Sequence, residues 1–166
     1  MLIREATPDD ALAVARVHVR AWQVAYRGLL PDAYLDELRA EDRAARYTFG
    51  DVDPQRPATI VAVDGGVIRG FATTGPARAE TGAGELLALY VDPDYWGRGI
   101  GRALVRAARE RLLQQGYGRA VLWVLDGNAR ATRFYAADGW SSDDARRTET
   151  LWGIEATDVR YRRALP

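Results

Sequence analysis

Three glycines at alternate positions, Gly97, Gly99 and Gly101, sit where an apolar strand turns into a helix, and that arrangement suits the binding of an anion. The strand is Glu85 to Val91, with Leu86, Leu87, Leu89 and Val91 apolar, and Asp92-Pro93-Asp94 breaks it. From Ile100 the apolar residues Ile100, Leu104, Ala107 and Ala108 recur at helical spacing, while Arg102, Arg106 and Arg109 fall on another face. Glycine lets the backbone approach a ligand closely, and the first amides of a helix have no partner within it. The expected guest is an anion whose apolar or amide-bearing parts extend along the strand.

Two common phosphate loops fail on spacing. A dinucleotide fingerprint, G-x-G-x-x-G, would need glycine at Arg102 when counted from Gly97, or at Leu104 when counted from Gly99. A Walker loop needs Gly-Lys-Ser/Thr, and the chain has no lysine. The segment Trp96-Gly97-Arg98-Gly99-Ile100-Gly101 instead resembles the signature of the GNAT superfamily of N-acetyltransferases: Gln or Arg, two residues, Gly, one residue, then Gly or Ala. Trp96 is the one departure, standing where that family has a polar side chain. A second segment, Asn128 to Trp140, resembles the family pattern N-x-x-A-x-x-F-Y-x-x-x-G-F/W at every named position, through Asn128, Ala131, Phe134, Tyr135, Gly139 and Trp140. Asn128 suits a helix N-cap, Ala131, Phe134 and Tyr135 share a helix face, and Gly139 ends the helix.

Composition fits one compact domain over residues 1–166, with 48% hydrophobic and 28% charged residues. Acidic and basic residues number 23 each, so no net field draws the chain to nucleic acid or an anionic membrane. With every basic residue an arginine and no cysteine, a lysine Schiff base, a disulfide framework, a thiolate metal site and a cysteinyl acyl-enzyme are all excluded. No metal is expected. The amino terminus reads without a basic-then-apolar leader, no apolar run has the length of a membrane span, and a cytoplasmic location is the expectation.

The elements that must position these segments follow in mixed order. Leu2 to Glu5 reads as a strand; Thr7-Pro8-Asp9-Asp10 starts a helix carrying Leu12, Ala15, Val19 and Trp22 on one face as far as Gly28. A short helix from Pro31 to Leu38 and a helical stretch from Glu41 to Tyr47 come next. Thr59 to Val63 and Val67 to Thr74 form a hairpin about Asp64-Gly65-Gly66, and Gly75 to Gly84 reads as a loop. Ala120 to Leu125 is a strand, and the tail from Trp140 to Arg163 should hold two more.

The resemblance implies a mixed α/β fold: a central twisted mixed sheet of about six to seven strands, flanked by about four helices. Two splayed parallel strands, ending at Val91 and running from Ala120 to Leu125, would form a cofactor cleft. Acetyl-CoA would lie there, its pantetheine amides paired with the strand edge at Leu89 and Val91. Its pyrophosphate would rest on the amides from Arg98 to Arg102, beside Trp96, Gly97, Gly99, Ile100, Gly101 and Asn128. The side chains of Arg98 and Arg102 would add charge, whereas Arg106 and Arg109 read as a solvated helix face.

Acetyl transfer to an amine needs a neutral amine, a stabilised oxyanion and a proton for the departing thiolate. The resemblance assigns these to Glu85 as base, directly or through water, to the backbone N–H of Leu89, and to the hydroxyl of Tyr135. Direct attack in a ternary complex is expected. The acceptor is a primary amine of a small molecule or a peptide terminus, with Trp22 and Tyr26 as the residues of the acceptor lip and a homodimer a possible assembly. His18 reads as a satisfied helix histidine, and Asp32, Asp36 and Glu37 either give the lip a negative field or form the wet face of a helix. The alternative is a non-catalytic acyl-CoA-binding or regulatory module.

Overall fold

The computed structural model describes residues 1–151 and 153–166; Trp152, inside the expected tail strands, lies outside the described residues. Seven strands, β1 (Leu2–Glu5), β2 (Ala58–Asp64), β3 (Val67–Pro76), β4 (Gly84–Val91), β5 (Arg119–Leu125), β6 (Ser141–Leu151) and β7 (Ile154–Ala164), form one sheet in the order β1-β2-β3-β4-β5-β7-β6. Only the β4–β5 pair is parallel. Among the described residues, five helices flank the sheet: α1 (Ala11–Ala25), the short α2 (Asp32–Asp36) and α3 (Ala40–Ala44), α4 (Ile100–Gln114) and α5 (Ala129–Ala137). This is the expected mixed α/β architecture.

Each long helix buries the stripe that its sequence predicts. Leu104, Val105, Ala108 and Leu112 of α4 pack with Ile60, Ala72, Leu86, Val91 and Leu122 on one face of the sheet, where Ala131, Phe134 and Tyr135 of α5 join them. Val14 and Val17 of α1 pack with Val61 and Phe71 on the other. The crossover through α4 is what allows β4 and β5 to run parallel.

The parallel pair is brief. Its register holds only Gly84↔Ala120 and Glu85↔Val121, although β4 stays paired with β3 as far as Val91 and β5 with β7 as far as Leu125. The strands therefore part after two rungs, giving the expected splay. Next to the fork, Thr73 faces Ala88 and Thr74 faces Leu86, so Leu87 is an extra residue, a β-bulge. The bulge resets which side chains share a face. Ala88 and Tyr90 pack on the α1 side, whereas Leu86, Leu89 and Val91 pack on the α4 side. Unbroken alternation would keep Glu85 with Leu89 and Val91; the bulge turns it to the face of Ala88 and Tyr90 instead.

The structure corrects several expectations. The loop between β3 and β4 covers only residues 77–83, closed by the Ala77 amide on the Ala83 carbonyl at 2.9 Å. Gly75 and Gly84 belong to the strands, paired with Glu85 and Pro76, and both sites are tight: a Cβ on Gly84 would lie 2.7 Å from Leu112 Cδ2, and one on Gly75 3.3 Å from Pro57 Cα. Helix α1 ends at Ala25 rather than running to Gly28, and α3 ends at Ala44, short of Tyr47.

Arg109 is not a solvated side chain. It holds Asp138 through two hydrogen bonds of 2.9 and 3.1 Å, and the same carboxylate accepts from Trp140 Nε1 at 3.0 Å and faces Arg163 at 3.4 Å. That hub ties α4, the end of α5 and β7 together. Replacing Asp138 with Ala leaves these donors without an acceptor in a largely buried setting and is expected to lower unfolding stability by about 2 kcal/mol, read as a reduced urea midpoint.

Candidate active site

The fork between β4 and β5 opens onto a cleft of about 740 Å³ whose wall continues through the glycine turn and α5. Gly99 is the N-cap of α4 with φ +84°, a left-handed conformation that glycine adopts without strain. The first helical hydrogen bond of α4 runs from the Ala103 amide to the Gly99 carbonyl at 3.0 Å, so the amides of Ile100, Gly101 and Arg102 lie ahead of the helical ladder. Gly101 allows close packing, since a Cβ there would lie 3.3 Å from the Phe134 ring. Asn128 caps α5, its Oδ1 accepting from the Ala131 amide at 3.1 Å.

Trp96 performs a task that its position in the motif did not announce. Its Nε1 donates to the Val91 carbonyl at 2.9 Å, closing the turn onto the end of β4, and the Arg130 guanidinium lies 3.3 Å from the centroid of its ring. The Asp92 amide donates to the backbone carbonyl of Arg69 in β3 at 2.8 Å. By strand alternation the backbones of Leu89 and Val91 then face the gap left by β5. Leu89, Val91, Trp96, Gly97, Gly99, Ile100, Gly101, Arg102 and Asn128 all line the cleft. Arg98 does not; its guanidinium lies over Tyr95, 4.6 Å from the ring centroid.

A second cavity of about 420 Å³ occupies the α1 side of β4 and contains His18, Trp22, Tyr26, Glu85, Tyr90 and Asp158. The two spaces share Tyr26, Leu87, Tyr90 and Trp123 as walls, so they meet at the bulge. Glu85 is fully buried; Arg78 Nε donates to its Oε2 at 2.8 Å, while Oε1 has no hydrogen-bond partner among the described residues. Trp22 belongs to the core with Tyr26, Leu30 and Leu35 and presents one edge to the cavity. His18 is buried, its Nδ1 2.8 Å from the Tyr47 hydroxyl, and burial, then the nearby Arg43, push its pKa well below the usual histidine range. It is a neutral core histidine, as read from the sequence. Asp32 and Asp36 are bound by Arg27 at 3.5 and 2.5 Å on the exposed surface and do not line the cavity.

The hydroxyls at the junction hold their protons tightly. Tyr26 and Tyr90 lie 3.1 Å apart through their oxygens, and burial raises the pKa of both. Burial, followed by the neighbouring Tyr90, raises Tyr135 on the cleft side as well. All three are therefore neutral donors at physiological pH.

Sequence reading missed Asp158, Glu149 and Tyr90. Asp158 is buried opposite Leu125, and desolvation, then the adjacent Glu149, push its carboxyl up to about 6. The signal available was a lone acid in the alternating strand Ala156 to Tyr161, but only the β5–β7 register shows which cavity it meets.

These features have the form of an acyl-CoA-dependent N-acetyltransferase: a glycine turn with free helix amides on a forked parallel pair, meeting a separate cavity. A model of the acetyltransferase (GNAT) family matches residues 18–140, and the chain belongs to that family. It is 31% identical over 128 residues, 76% of this chain and 72% of the other, to the uncharacterized N-acetyltransferase YuaI of Bacillus subtilis. It is 33% identical over 150 residues, 90% and 96% of the two chains, to an uncharacterized N-acetyltransferase of Archaeoglobus fulgidus. In fold it matches the PaiA N-acetyltransferase of Thermoplasma acidophilum, solved in complex with coenzyme A, at a TM-score of 0.77 and 19% identity over 98% of each chain. Among the described residues no group of three His, Cys, Asp or Glu side chains is placed to hold a metal, and no helix is long and apolar enough to cross a membrane.

Because the folded-state pKa of Asp158 lies above its ordinary value, its protonated carboxyl contributes stability that is complete below about pH 4 and lost as pH rises through about 6. In urea titrations from pH 4 to 7, the wild type is expected to lose up to about 2 kcal/mol more than Asp158→Asn over that window.

Proposed function

We propose that the protein transfers the acetyl group of acetyl-CoA to a primary amine of a small molecule or a peptide terminus, by direct attack within a ternary complex. The observation that carries this reading is the meeting of the two spaces at the bulge of β4, with a wall shared by Tyr26, Leu87, Tyr90 and Trp123. A thioester brought along the cleft and an amine brought through the other cavity approach the same few residues, and no covalent carrier is required. The chain has no cysteine to serve as one.

The donor set fits acetyl-CoA. The amides of Ile100, Gly101 and Arg102 are oriented for a pyrophosphate, and the Arg102 and Arg130 side chains border the same cleft. The Val91 carbonyl is engaged by Trp96, so the Val91 N–H is the group available to a pantetheine carbonyl. When bound, acetyl-CoA supplies an activated acyl group on a thiol leaving group. The residues here bind, orient and move protons. Glu85 borders the cavity with one oxygen held by Arg78 and the other without a hydrogen-bond partner among the described residues, and takes a proton from the ammonium directly or through water. The Leu89 N–H faces the gap and donates to the negative charge that develops on the carbonyl oxygen. Tyr135, kept neutral by burial, donates to the leaving thiolate.

Calorimetric titration is expected to show one acetyl-CoA per chain. In Gly99→Asp the added carboxylate faces the pyrophosphate and the side chain is strained at φ +84°, so affinity should fall at least about tenfold; undiminished affinity in a folded variant overturns the assignment of the turn. Tyr135→Phe should lower kcat by about tenfold or more with little change in acetyl-CoA affinity, and unaltered turnover removes Tyr135 from the mechanism. Binding of acetyl-CoA without thiol release in the presence of any amine would favour a non-catalytic binding module.

A further inference from the structure

The cleft between β4 and β5 carries positive charge that no carboxylate among the described residues balances. Arg102, Arg130 and Arg133 line it, and none of the three forms an ion pair among the described residues. Asp138 is the one carboxylate among the described lining residues, and Arg109 and Arg163 hold it at 2.9 and 3.4 Å. The acids of the neighbouring turns are engaged as well, Asp92 and Asp94 by Arg20 at 3.6 and 2.8 Å, and Asp126 by Arg146 at 2.8 Å. With 23 acids against 23 arginines in the whole chain, this local excess of cations belongs to the cleft and not to the composition.

One of the three is fixed in place. The Arg130 guanidinium lies 3.3 Å from the centroid of the Trp96 ring. Partial burial works against its charge, and the negative face of the ring offsets that cost. Both supports are tied down. Trp96 is held by its hydrogen bond to the Val91 carbonyl at 2.9 Å, and the first turn of α5 by the Asn128 cap and by Thr132 Oγ1, which donates to the Asn128 carbonyl at 2.7 Å. Trp96 follows β4 and Arg130 follows β5, so the stacked pair joins the two sides of the fork. Trp96 also adjoins Gly97, at the start of the turn whose free amides suit a diphosphate.

We propose that Arg130 supplies, from the far side of the fork, the polar side chain that the motif lacks at position 96, and that Trp96 is the positioning residue that holds it against the diphosphate of acetyl-CoA. The inference rests on the acetyltransferase reading for the ligand and adds how this chain grips it. A Gln or Arg at position 96 would act from the turn itself. Here the ring takes that place and carries a guanidinium contributed by α5, which pairs with phosphate oxygens through directional, charge-assisted hydrogen bonds. Because the guanidinium is seated before the ligand arrives, less side-chain freedom is lost on binding.

The test is calorimetric titration of the full chain with acetyl-CoA at about 50 and about 500 mM NaCl, which differ several-fold in screening. Arg130→Gln is expected to lower affinity about tenfold at low salt and about threefold or less at high salt, as the loss of an ionic contact requires. Arg130 is exposed, so the substitution does not threaten folding. Trp96→Ala should also lose about tenfold, whereas Trp96→Phe, which keeps a ring face without the N–H, should stay within about threefold of the wild type. Adding Arg130→Gln to Trp96→Ala should cost no more than about threefold further, since the two side chains act as one unit. The loss in Arg130→Gln should be equal with dephospho-CoA, which keeps the diphosphate and lacks the separate phosphate monoester. Unchanged affinity in Arg130→Gln, a Trp96→Phe variant as weak as Trp96→Ala, full additivity in the double variant, or a loss absent with dephospho-CoA overturns the assignment, and binding by the wild type then leaves the acetyltransferase reading standing. Failure of the folded wild type to bind acetyl-CoA overturns that reading, and this one with it.

Discussion

The loss of hydrogen bonding between β4 and β5 after the Glu85↔Val121 rung is the constraint on which the site depends. Backbone groups that would have been shared between neighbours are left along the gap, and a ligand with amides of its own can use them. The bulge at Leu87 lies at the same point. By adding one residue to β4, it divides the strand into two parts with opposite facial assignments, and this puts the Glu85 side chain on the α1 side of the sheet and those of Leu89 and Val91 on the α4 side. A single local irregularity thus serves both halves of the proposed reaction.

Around the fork, the chain uses arginine and aromatic rings where a polar motif residue is absent. Trp96 ties the turn to Val91 with its indole N–H, which holds the geometry without placing a charge near the anion. The guanidinium of Arg130 lies over that ring, 3.3 Å from its centroid. On the far side of the cleft, Arg109 and Asp138 fix the exit of α5 against α4. The surface of the cleft is built from donors whose supports are packed and paired, an arrangement that suits the anion binding proposed above.

Much of this was legible in the sequence. The glycine turn, the Asn128 cap and the Phe134-Tyr135 pair are local patterns, and local patterns survive folding because they depend on neighbours three or four residues away. The splay was implied by the family resemblance, and the register bears it out. Asp158 and Glu149 were not visible, since what makes them matter is a pairing between strands far apart in the chain and the side of the sheet they reach. Arg109 was misjudged for a related reason: a helical wheel gives direction, but not the Asp138 carboxylate that waits there. The loop expected from Gly75 to Gly84 shrank because its terminal glycines are paired within the strands, at tight sites, rather than turning.

Trp123 forms part of the wall between the two cavities, with Arg147 4.2 Å from its ring centroid and an indole N–H that has no partner among the described residues. Indole emission responds to local polarity and to nearby charge, so this one side chain is an optical probe sited at the crossing of two entry routes. A ligand in either space would border this ring, so its emission, separated from that of the other four tryptophans, is a readout for both.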